Sequence, residues 1–288
     1  MTFPSSLKAI NELLDGGYEE SIPLAIFGLP ETGKTIFMNQ EACFISKSLN
    51  SGALLIDTEG GNYVTLLKWL DVYQRRFDAA FDVVKCKVGE NKVELTKTPE
   101  HLPLFVINLR DIKNFMKFFG YNIDVEISNK GKFGVRLLGS MENLCQKMIE
   151  EYDISTLVID SLSNPLAVFS GGIVNYPARA DALKMLFASI QNVAEENNIL
   201  IFISHHATFD PQNPYSEPTM FGGKWVKHNT KISLYFEESK SKRKEQQGVR
   251  RVYLTRYFDK PRFVEMRKIK LTNSGFEDVE DKEVDEDE

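Results

Sequence analysis

Residues 28–35 read Gly-Leu-Pro-Glu-Thr-Gly-Lys-Thr, and this run restricts the chain's architecture more than its composition does. It fills every fixed place of the G-x-x-x-x-G-K-[ST] phosphate loop. The glycines let the backbone wrap tightly, so that successive N–H groups turn toward phosphate oxygens. In this pattern Lys34 serves the β- and γ-phosphates as a point charge, and the Thr35 hydroxyl is a Mg²⁺ ligand. The flanks agree with the motif. Residues 23–27 are a short apolar strand, and residues 36–48 have helical character, which places a partially positive helix N-terminus behind the phosphates. The expectation is a bound nucleoside triphosphate, held by Gly28, Leu29, Pro30, Glu31, Thr32, Gly33, Lys34 and Thr35.

Further along, apolar strands alternate with helical stretches. Strands are expected over 53–59, 156–161 and 199–204, and helices over 63–78 and 178–196. Unbroken Ile/Leu/Val runs, rather than alternation, mark strands covered on both faces, as in a parallel sheet. The fold class is therefore α/β, with a mostly parallel, doubly wound sheet. Residues 230–237 and 249–257 alternate better and flank a charged loop, so an antiparallel hairpin is expected at the C-terminal side. Residues 83–139 interrupt the pattern and read as a small α+β insertion. Its expected parts are one hairpin turning at 89–91, a helix over 111–120, and a second hairpin turning at 129–131.

Charge and cysteine content narrow the setting. The 288 residues carry a net charge of −6, but residues 277–288 hold nine acids against Lys282, a local −8, so the remaining body is +2. An acidic, disordered tail on a mildly basic body (core 1–276, tail 277–288) fits a nucleic-acid binder or its regulator, and also a tail that only aids solubility. Cys43, Cys86 and Cys145 lack CxxC spacing and read as core residues in a reducing cytoplasm. No apolar run approaches the roughly 20 residues of a membrane span. The N-terminal residues lack the charged and apolar regions of a secretion signal.

The hydrolytic groups are sought at other strand ends. Asp160 closes an apolar strand, the Walker B pattern, and is expected beside Mg²⁺. Glu59 follows Asp57 by two residues on what reads as an extended chain. It is the candidate for polarising the attacking water, the alternative being an acid that only caps the next helix. Ser204, His205 and His206 end the next strand, where a group sensing the γ-phosphate would sit. Adjacent histidines on a strand point to opposite faces, which disfavours a shared metal.

This ordered set resembles the RecA/RadA recombinase ATPases, particularly archaeal RadA paralogs of the RadB/RadC kind. The likeness runs through the Leu13-Leu14-Asp15-Gly16-Gly17 approach to the phosphate loop, Ile56-Asp57-Thr58-Glu59-Gly60, Leu157-Val158-Ile159-Asp160-Ser161, the stretch from Gly222-Gly223 to His228-Asn229-Thr230, Phe258-Asp259-Lys260-Pro261, and Ser274-Gly275-Phe276-Glu277-Asp278. It implies a RecA-like core using ATP and Mg²⁺, with Glu59 catalytic, Lys34 on the phosphates and Asp160 with Thr35 at the metal. It also implies His206 as the γ-phosphate sensor, where RadA has Asn-Gln for His205-His206. Tyr63 falls where RadA has an arginine near adenine. His228, Asp259 and Pro261 would reach a neighbouring subunit's nucleotide. The stretch as given has no helix-hairpin-helix domain and no upstream Phe-x-x-Ala polymerisation motif. Short oligomers or assembly with a RadA-type partner are therefore expected rather than a filament.

By the same resemblance, loops at about 166–179 and 207–222 would face single-stranded DNA, with Arg179 in the first and aromatics in the second. Basic residues between 240 and 251 (Lys240, Lys242, Arg243, Lys244, Arg250, Arg251) are candidates for phosphate contacts. The plain alternatives are connecting loops and a solvated hairpin tip. The implied function is a DNA-modulated ATPase assisting recombinational repair. A second reading, from another class, is a KaiC-like regulator in which ATP gates protein–protein contacts without DNA.

Overall fold

The computed structural model describes residues 2–89, 92–127, 133–169, 176–209, 217–222, 226, 229–239, 246–258 and 265–279. In chain order the elements are β1 (Thr2–Phe3), α1 (Lys8–Leu13), β2 (Tyr18–Glu19), β3 (Leu24–Gly28), α2 (Lys34–Leu49), β4 (Gly52–Asp57), α3 (Asn62–Phe77), β5 (Phe81–Val88), β6 (Val93–Leu95) and β7 (Leu102–Asn108). They continue with α4 (Ile112–Phe118), β8 (Tyr121–Ile127), β9 (Phe133–Ser140), α5 (Leu144–Glu151), β10 (Ile154–Asp160), a 3₁₀ turn (Pro165–Phe169), α6 (Tyr176–Asn197) and β11 (Leu200–Thr208). The last are β12 (Thr219–Met220), β13 (Ile232–Glu238), β14 (Val249–Arg256), β15 (Glu265–Thr272) and β16 (Gly275–Asp278).

The central sheet has the order β16-β15-β14-β13-β3-β11-β10-β4-β7-β5-β6, with β12 added to β11. From β13 to β5 every neighbouring pair is parallel, while β14, β15 and β16 at one edge and β6 at the other are antiparallel. The expected α/β class, parallel core and C-terminal hairpin are all present.

Two apolar layers explain the unbroken strand runs. Val158 turns to one face, with Leu55, Phe202 and Leu234, and packs under α1, α2 and α3. Leu157 and Ile159 turn to the other, with Ile56 and Ile203, under α4, α5 and α6. A period of two with both faces covered reads in sequence as continuous hydrophobicity.

Residues 83–139 divide between two structures. β5 and β7 extend the central sheet, with β7 seated between β4 and β5. The alternating reading gave no strand at Leu102–Asn108. α4 covers one face of that sheet, and the β8–β9 hairpin forms its own two-stranded sheet, with Ile123 packed into the same core. β15 was likewise not foreseen, because Arg267, Lys268 and Lys270 surround and mask the single buried Ile269. Glu277 and Asp278, counted with the acidic tail, belong to β16, and the Asp278 carboxylate accepts the Lys8 and Ala9 N–H groups at 3.0 and 2.8 Å. Among the described residues no helix is long and apolar enough to cross a membrane.

Candidate functional site

The phosphate loop hangs between three parallel strands, with β11 and β13 flanking β3, and its glycines answer to that confinement. A Cβ on Gly28 would lie 2.5 Å from the Phe236 carbonyl oxygen of β13. Gly33 has φ +94°, and a Cβ there would meet the Phe276 ring at 2.7 Å. As the N-cap of α2, Gly33 has no side chain to bond the first-turn N–H groups, which leaves them available to an anion. Arg250 fixes the loop from behind. Its side chain is buried, donating from Nε to the Thr32 carbonyl at 3.0 Å and pairing with Glu238 at 3.1 Å.

At the loop's mouth the charged groups converge in a cleft of about 290 Å³ lined by Lys34, Thr35, Glu59, Asp160, Ser161 and His206, among others. Lys34 Nζ donates to the Gly28 and Leu29 carbonyls at 3.0 and 2.8 Å. Burial lowers its pKa, against the raising influence of Asp160 and Glu59. The Thr35 hydroxyl donates to Asp160 at 2.7 Å, and the Ser204 hydroxyl donates to the other Asp160 oxygen at 2.6 Å. Burial raises the Asp160 pKa, while those two hydrogen bonds act in the opposite direction.

Glu59 occupies a different position from the one expected. β4 ends at Asp57, so the chain is no longer extended at Glu59. It is Asp57 that supports the next helix, accepting the Gly60 and Asn62 N–H groups at 2.5 and 3.1 Å. Glu59 is thereby released to face the cleft. Its Oε1 accepts from the Ser161 hydroxyl at 2.7 Å and lies 2.9 Å from His206 Nε2. The His206 hydrogen bond, assisted by Ser161 and opposed by partial burial, lowers its pKa and keeps it a carboxylate.

The two histidines differ in their surroundings. His206 faces Glu59, whereas His205, which also borders the cleft, is only 1% exposed, and burial lowers its pKa to about 3. Phe221 N–H donates to the His206 carbonyl at 2.9 Å, tying this histidine to the far end of the 207–222 loop.

Tyr63 is not in the cleft. Thr65 lines it, and two residues along a helix is about 200°, so Tyr63 faces away, where Lys85 Nζ stands 3.9 Å from its ring centroid. Among the DNA candidates, Arg179 lies over the Phe221 ring at 5.0 Å, which joins the two loops. Arg250 and Arg251 are engaged in the β13–β14 hairpin, Arg251 with Glu237 at 3.6 Å. His228, Asp259, Pro261, Lys240, Lys242, Arg243 and Lys244 lie outside the described residues, as do Gly223 and most of the acidic tail.

Sequence reasoning gave no role to Ser161 or Thr65 and missed the true place of Arg250. The signal for Arg250 was available: it shares parity on β14 with buried Val252 and Leu254 and therefore points inward.

The fold and the cleft define a phosphate-loop α/β protein of the RecA/RadA-like fold. The crystal structure of the RadB recombinase matches with a TM-score of 0.58 and 16% identity, over 96% of this chain and 98% of that one. No protein-family model matches the sequence, and neither does any curated protein.

Proposed function

We propose that this chain binds and hydrolyses ATP as a RadA-paralog-type protein, with turnover modulated by single-stranded DNA in recombinational repair. The observation that carries the reading is the convergence of Lys34, Thr35, Asp160 and Glu59, drawn from three separate strand ends, on one cleft. The donor set suits a hard cation, since Thr35 and Asp160 offer paired oxygens beside the loop. Bound Mg²⁺ would neutralise charge on the β- and γ-phosphates.

The chain's own groups supply the rest. Loop N–H groups and Lys34 hold the phosphates. Glu59, ionised and steered by Ser161 and His206, orients and polarises the attacking water. In this reading His206, 2.9 Å from Glu59, exchanges that partner for a γ-phosphate oxygen, and its backbone bond to Phe221 relays the change toward the 207–222 loop. The likeness in fold to the RadB recombinase adds recombination as context for this reading. In this reading His228 and the 259–261 segment act on a neighbouring subunit's nucleotide, in a self-oligomer or with a RadA-type partner.

Phosphate release from MgATP, measured with and without single-stranded DNA at low salt, tests the proposal. A DNA-dependent rate that declines steeply with added salt is expected, because each phosphate contact releases counterions. A rate indifferent to DNA, with no DNA retained in filter binding, would instead support the ATP-gated protein switch.

A further inference from the structure

The carboxyl edge of the sheet has a second crevice that the nucleotide reading leaves unused. The chain leaves β4 for α3 on one face of the sheet, whereas neighbouring β7 leads to α4 on the other. Where adjacent connections part to opposite faces, an open parallel sheet presents a ligand crevice beyond its strand ends. Here the parting opens a cavity of about 570 Å³, about twice the phosphate-loop cleft, walled by Asp57, Gly60, Tyr63, Lys85, Lys87 and Asn108, among others.

Its chemistry is cationic with one aromatic ring. Lys85 and Lys87 are exposed, and among the described residues neither has a carboxylate within 4.0 Å. Arg110, from the β7–α4 connection, lays its guanidinium against Gly60, so closely that a Cβ there would be 1.3 Å from Nη2. The acids nearby are committed or peripheral. Asp57 is turned to the Gly60 and Asn62 amides, Asp111 caps α4, and Glu94 faces Lys87 across the β5–β6 ladder. Two lysines without a carboxylate within 4.0 Å, two exposed amides and a ring around a cavity of this size complement a phosphorylated ligand with a flat base.

We propose that this crevice is a second nucleotide site, with phosphates at Lys85 and Lys87 and the base along Tyr63 and Val64. Gly60, in the crevice wall, directly follows Glu59 in the wall of the phosphate-loop cleft, so the two sites share a wall.

Equilibrium dialysis of labelled ADP with Mg²⁺ against the full chain counts the sites. Two ADP per chain are expected in the wild type, one in Lys34→Ala, and one in the Lys85→Ala/Lys87→Ala double variant, whose second site weakens at least tenfold. Lys85→Arg/Lys87→Arg should keep both, and circular dichroism melts check that each variant is folded. A wild type that binds a single ADP abolished by Lys34→Ala would overturn the proposal, as would two ADP retained by the double alanine variant. Binding that survives Lys34→Ala but not the double variant would uphold the crevice and overturn the assignment of the phosphate loop.

Discussion

The phosphate-loop cleft and the β8–β9 hairpin follow opposite plans. Around the cleft, β3, β11, β10 and β4 are sealed on both faces, and each delivers a side chain already held by a neighbour: Asp160 by Thr35 and Ser204, Glu59 by Ser161 and His206. The hairpin pairs only with itself in its sheet and leaves Leu137 and Leu138 each 51% exposed. Groups held from several sides cannot shift to absorb a change, so the cleft should respond sharply to substitutions that the hairpin tolerates.

Four changes sharpen or break that contrast. Lys34→Ala should have the largest effect, weakening MgATP by about 10- to 100-fold, the worth of one charge-assisted phosphate contact. Nucleotide titration by calorimetry reads it, and unchanged affinity would mean that the cleft does not hold phosphate. Arg250→Ala should cost about 1–3 kcal/mol of stability, since it strips the Thr32 carbonyl of its donor and leaves Glu238 unpaired. Urea denaturation would show this, and a neutral result would mean that the loop needs no support from β14.

The third change is in pH. The folded-state pKa of His205, about 3, lies below the ordinary histidine value of 6.5, so between these limits the unfolded chain holds the extra proton. Stability from this residue is complete above pH 6.5 and falls by about 1.4 kcal/mol per pH unit on acidification toward 3. His205→Gln should flatten that part of the profile, and melts at pH 6.5 and 5.5 compare the two proteins. The smallest effect belongs to the hairpin: Leu137→Ser should stay within about 0.5 kcal/mol of wild type. A larger loss would show that its exposed leucines are covered in solution.

The same contrast decides how much was legible in the sequence. Motif residues could be placed because buried parallel strands leave long apolar runs ending in a polar residue, as at Asp160 and His206. Where the chain turns within a few residues the reading failed. Asp57, not Glu59, takes the capping bonds, which moves Glu59 off the strand. Tyr63 is turned from the cleft by helix phase, about 200° from Thr65, which lines it. β7 escaped because Pro103 and the short spacing from β6 made Leu102–Asn108 look like part of an insertion. Arg250 was read as a candidate phosphate contact because a local count of basic residues carries no strand parity.

The central claim is that Glu59 acts on water while the loop and Lys34 hold the nucleotide. Glu59→Gln tests it most directly, by single-turnover phosphate release alongside ATP binding on the same preparation. The account predicts near-native ATP affinity with turnover reduced by about 10²- to 10⁴-fold, because the phosphate cradle persists while the polarising carboxylate is gone. Turnover equal to wild type would remove Glu59 from the chemistry and contradict the account.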